Sequence, residues 1–147
     1  MDDYDAFFKK MMAQLDGYQD ISDLITDCEE QLNKLRNESN YHLNEYLEND
    51  FTESLANLKR EHEHWRAVLL GLSHFGHTSS MKVKDIDKTI HLIRISSINQ
   101  TMNSDLQSGI NFIENKYSNL LADIRHRQAL LMAGIGISLS IVLSLFT

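Results

Sequence analysis

Apolar residues in this chain recur at spacings of three and four and nowhere alternate long enough for a strand, so the pattern predicts an all-α protein. Tyr4, Phe7, Phe8, Met11, Met12 and Leu15 form one face of a first amphipathic helix, which Gly17 would end. A second helix is expected over about residues 20–47, carried by Ile21, Leu24, Ile25, Cys28, Leu32, Leu35, His42, Leu43, Tyr46 and Leu47. Its stripe weakens at residues 36–41, where a local break is expected. The third stripe is the clearest. Phe51, Leu55, Leu58, His62, Trp65, Leu69 and Leu72 alternate at four and three, the pattern of a coiled-coil core over three heptads. Asp50 or Thr52 would cap this helix, and residues 73–80 read as a loop.

Beyond residue 81 two more stripes appear, one through Val83, Ile86, Ile90 and Ile93, the other through Leu106, Ile110, Ile113, Tyr117, Leu120 and Ile124. Between them residues 96–104 are polar and rich in poor helix formers. We read residues 81–128 as a stalk helix that either continues with a polar layer in its core or kinks near 96–104.

The final pattern is of another kind. Residues 129–146 are 18 positions without a charge, rich in Leu, Ile, Ala and Gly. As a helix they span roughly 27 Å, close to the hydrocarbon thickness of a bilayer. Ala129, Ala133, Gly136, Ser140 and Ser144 recur on one side, and Gly134 and Ser138 are read as widening the same small-residue stripe. Small residues let two helix backbones approach closely inside a membrane, and Ser can hydrogen-bond across the contact. This predicts a transmembrane packing face. Arg125, His126 and Arg127 stand just before the segment, and cations in that position favour the cytoplasmic side.

The predicted organisation is therefore an N-terminal amphipathic helix over 1–17, a helical hairpin or coiled-coil body over 18–80, the stalk over 81–128, and a transmembrane anchor over 129–147. The fold expected is an antiparallel helical bundle whose long stalk leads into one C-terminal membrane helix. That is the layout of a tail-anchored, single-pass membrane protein with its N-terminal body in the cytoplasm.

Composition sharpens this picture at three points. The chain has 147 residues and no proline, so nothing interrupts long helices by removing a backbone donor. Its net charge is −7, spread unevenly: residues 1–58 hold 14 acidic and 4 basic residues, residues 59–147 hold 7 and 10. The acidic half repels phosphate, which argues against a nucleic-acid partner. The single cysteine, Cys28, lies on an apolar stripe and cannot form an internal disulfide.

Candidate chemistry is thin. Glu61 and His64 have the Glu-x-x-His spacing of carboxylate-bridged metal bundles, with His62, His74 and His77 near them, but such a site needs two of these motifs on facing helices and the chain has one. His62 falls on the apolar stripe beside Trp65, where a packed or hydrogen-bonded imidazole is the ordinary reading. No phosphate-binding glycine loop, His-Glu-x-x-His or Cys-x-x-Cys occurs. No enzyme activity, cofactor, metal or small-molecule substrate is expected.

A helical bundle, a heptad stalk and a terminal anchor together resemble the plan of tail-anchored membrane-fusion proteins over about residues 82–147. That family needs an unbroken heptad motif around a central polar layer. Gln100 could supply the layer, but Ser97, Asn103, Ser104 and Gln107 are polar where the motif is apolar. The resemblance is one of architecture alone.

Two functions fit the pattern. The first is a non-enzymatic scaffold, or subunit of a membrane complex, that self-associates through its heptad faces and its membrane helix. Its partners would be the bilayer and either further copies or another membrane protein. The second is a small pore-forming effector or toxin, with Ser138, Ser140 and Ser144 lining a channel in a ring of copies.

Overall fold

The computed structural model describes residues 3–80 and 86–146, with side chains described throughout except at 3–5, 7, 8, 11, 72–80, 86, 88, 89, 91 and 92. Among the described residues there are three helices and no strand: α1 (Asp3–Glu38), α2 (Glu45–Ser80) and α3 (Ile86–Leu145). α1 and α2 are antiparallel, joined by a short corner. α3 runs parallel to α1, since Gly109 lies against Ile25, Lys116 pairs with Glu29 at 2.5 Å, and Arg127 reaches Asn40.

The core is a stack of apolar layers between the helices. Cys28 and Leu35 from α1, Phe51 and Leu58 from α2, and Ile110 and Ile113 from α3 are its most deeply buried side chains. Phe51 packs on Tyr117 with ring centroids 5.0 Å apart. The Tyr117 hydroxyl donates to Glu48 Oε1 at 2.5 Å; burial and that carboxylate push its pKa up to about 12. From the third sequence stripe, Phe51, Leu58, His62, Trp65 and Leu69 are buried and Leu55 is half-buried. The side chain of Leu72 lies outside the described residues, as do those of Phe7, Phe8, Met11, His74 and His77.

The helix boundaries differ from those the pattern predicts, each for a physical reason. Gly17 does not end a helix. It lies within α1, with no positive φ, because the indole of Trp65 rests on it: a Cβ there would stand 2.8 Å from Trp65 Cδ1. The indole N–H donates to the Gln14 carbonyl at 3.1 Å. The close approach of α1 and α2 thus explains a glycine that reads as a stop.

The expected second helix over 20–47 is split at residues 39–44, a break that begins within the weak stretch at 36–41. The corner is built by side chains. The buried hydroxyl of Ser39 accepts the Asn44 N–H at 3.2 Å, and Asn44 Oδ1 accepts the Leu47 N–H at 3.3 Å. Asn44 is therefore the N-cap of α2 in place of Asp50 or Thr52, and Glu45 and Glu48 favour the positive end of the helix dipole. Residues 73–80, expected as a loop, continue α2 as helix. Residues 81–85 lie outside the description.

α3 crosses residues 96–104 without a break. The polar run is a buried layer rather than an interruption. Asn99 faces the core at 3% exposure, and Asn103 Oδ1 lies 3.2 Å from Nε2 of the equally buried His62. On the outer side the hydroxyl of Thr101 donates to the Ser97 carbonyl and that of Ser108 to Ser104, so these residues satisfy themselves within the helix.

Candidate membrane anchor and packing face

Ile124 is the last buried residue of α3, and beyond Gln128, which still reaches the α1–α2 corner, the helix continues for about five turns outside the bundle. Every described side chain from Ala129 to Phe146 is exposed, although the stretch is almost wholly apolar. One helix among the described residues is long and apolar enough to cross a membrane, and it is this one. Eleven large apolar side chains in water at the end of an otherwise ordinary bundle would form a contiguous patch of the kind soluble monomers avoid. Hydrocarbon removes that conflict, because the helix satisfies its own backbone groups.

The polar side chains of the segment are satisfied internally too. The hydroxyls of Ser138 and Ser140 donate to the carbonyls of Gly134 and Gly136, both at 2.9 Å, and Ser144 donates to Ile141 at 2.7 Å. None needs water or a partner to enter a bilayer.

The start of the segment is tied to the α1–α2 corner. Arg127 Nη1 donates to Asn40 Oδ1 at 3.3 Å, and Gln128 Nε2 donates to the Tyr41 carbonyl at 2.7 Å. The corner therefore sits against the helix at the point where the bundle gives way to the apolar segment. Arg125 and Arg127 are exposed, and among the described residues neither has a carboxylate partner.

Helical geometry sorts the faces of the segment. At roughly 100° per residue, Ala129, Ala133, Gly136, Ser140 and Ser144 share one side. Gly134 and Ser138 do not widen that stripe. They line a groove beside Tyr41 on the far side, because five residues from Ala129 to Gly134 carry the chain about 140° beyond a full turn. Ser138 likewise stands about 160° from Ser140. The three serines named for a channel lining therefore do not face one lumen together.

Sequence reasoning also missed how far the small-residue face extends. On the N-terminal side of the apolar segment the same side of α3 carries Ser97, Thr101, Ser104, Ser108, Asn111, Asn115, Ser118 and Ala122, spaced alternately by four and three and all exposed. This line is uncharged throughout, on a body whose other helices are densely acidic. The signal was present in the spacing, but a search for apolar stripes passes over serine and asparagine.

The remaining candidates do not converge on chemistry. His62 points inward to Asn103 and lies against Trp65, ring centroids 6.4 Å apart. Glu61 faces Arg60 at 3.6 Å, and His64 is exposed. Among the described residues no three His, Cys, Asp or Glu side chains are placed to share a metal ion. Cys28 is buried, and that burial, with Asp27 nearby, holds its thiol above the ordinary range.

Burial of His62 makes the bundle pH-dependent. Loss of solvation holds its pKa below the ordinary value; Arg66 pushes the same way, while the Asn103 hydrogen bond and Glu63 oppose it. A histidine kept neutral by folding contributes stability that is fully present above its unfolded pKa, about 6.5, and is lost as pH falls through the lower folded value. The midpoint of urea unfolding, measured in detergent, should therefore drop below about pH 6.5. In His62→Gln, which keeps a partner for Asn103, that drop should flatten. Equal slopes in the two proteins would contradict the assignment.

Neither family models nor curated proteins nor solved structures give a match to this chain.

Proposed function

We propose that this chain is a non-enzymatic membrane scaffold: a three-helix body anchored by a single pass of α3 and assembled with further copies along the outer face of that helix. The observation that carries the reading is the continuity of α3. One unbroken helix runs from the bundle core into an exposed apolar segment, and a small-residue face runs along both parts, uncharged from Ser97 to Ala122 and again from Ala129 to Ser144, with Arg125 between the two stretches. In the bilayer, Ala129, Ala133 and Gly136 would let a second backbone come close. Above it, the serine and asparagine line from Ser97 to Ser118 would bring hydroxyl and amide groups together without like-charge repulsion. Arg125 and Arg127 at the base favour a cytoplasmic body. The separation of Ser138 from Ser140 and Ser144 supports a packed contact over a water-filled pore.

Sedimentation of the full chain in mild detergent tests this reading. The protein should be an oligomer at micromolar concentration, and Ala133→Leu with Gly136→Leu should weaken assembly on the order of tenfold. A monomer at that concentration, or an oligomer indifferent to these two changes, would refute assembly through this face. Release of dye from loaded vesicles would favour the channel.

A further inference from the structure

We infer that the groove beside Tyr41 holds one anionic phospholipid, its phosphate on Arg127 and an acyl chain along the helix below. The inference rests on residues 129–146 lying in a bilayer. Tyr41 of the α1–α2 corner lies beside the first turns of the segment and, with that helix, lines an open groove of about 690 Å³. Leu130, Leu131 and Ile135 line it together with Gly134 and Ser138, whose small side chains leave its floor low. A Cβ on Gly134 would meet nothing within 4 Å, so the floor is open.

The mouth of the groove is polar and positive. Tyr41 stands there with 43% of its surface exposed, an amphipathic ring at the level where such rings prefer to lie. Arg127 lines the same groove and gives one N–H to the neutral amide of Asn40, with no carboxylate partner among the described residues. Its remaining donors form the planar fork that matches a phosphate. An unpaired cation above an apolar trough is complementary to an amphiphile with a negative head. A helix from a second copy would fill the trough but leave the arginine unpaired, and the small-residue face that suits a helix lies on the other side. Arg125 is two residues away and so points to that other side.

The full chain, reconstituted in vesicles of mixed phosphatidylcholine and phosphatidylglycerol and then extracted in mild detergent, tests the inference by mass spectrometry of the intact complex. Wild type should retain phosphatidylglycerol in preference to phosphatidylcholine. Arg127→Gln should lower that preference about fivefold, the attraction of one cation at a membrane surface. Arg125→Gln, with the same loss of charge, should leave it unchanged. Gly134→Phe should lower retention with the arginine intact, by filling the floor. Equal losses in the two arginine variants would assign the preference to diffuse charge and overturn the site. So would wild-type protein that floats with the vesicles yet shows no preference. Protein that fails to float at all would overturn the membrane reading itself, a separate and recognisable failure.

Discussion

Phe51→Ala should cost the bundle about 3–5 kcal/mol, the upper range for truncating one buried side chain. The ring is fully buried, packs at a tilt against Tyr117, and comes from the second turn of α2, next to the corner between α1 and α2. Truncation removes its apolar area and leaves a cavity that neighbouring helices cannot close without disturbing the Tyr117–Glu48 hydrogen bond. Domains of this size are stable by roughly 5–15 kcal/mol, so the variant would retain only part of its margin. Thermal unfolding followed by circular dichroism in detergent should show a midpoint lower by roughly 10–20 °C. Tyr46→Ala, at a residue 73% exposed in the first turn of the same helix, should change stability by about 0.5 kcal/mol or less. Similar shifts for the two would contradict the core described.

The core was legible in the sequence to the extent that spacing decides burial. The stripes through Phe51 and Trp65 and through Leu106 and Ile124 face inward because three-and-four spacing puts them on one side of any helix, whatever its neighbours. The corner was not legible in the same way. It contains neither glycine nor proline, and its signal is the hydrogen-bonding of Ser39 and Asn44, which depends on where the helices already are. Gly17 misled for the complementary reason: its meaning lies in Trp65, 48 positions along the chain. The run at 96–104 could be resolved only once His62 supplied a buried partner for Asn103. At residues 129–146, composition and length were enough to mark a helix apolar enough to cross a membrane, whereas the groove needed the corner folded beside it.

The second large effect is on membrane insertion. Ile137→Arg combined with Ile141→Arg places two cations near the middle of the apolar segment, one turn apart. On an insertion scale each costs about 2.5–3.5 kcal/mol, so the pair opposes insertion by about 5–7 kcal/mol. The bundle should be untouched, because both residues are exposed and lie well below the core. The double variant should therefore keep its helicity and its thermal midpoint while moving out of the membrane fraction. Retention in that fraction at the wild-type level would argue that something other than this helix holds the protein there.

The most direct measurement is flotation of the unmodified full-length protein on a density gradient with vesicles, followed by an alkaline wash that strips peripheral proteins. If residues 129–146 reside in hydrocarbon, the chain rises with the lipid and stays there through the wash. Recovery of full-length, well-dispersed protein at the bottom of the gradient in the absence of detergent would contradict the account.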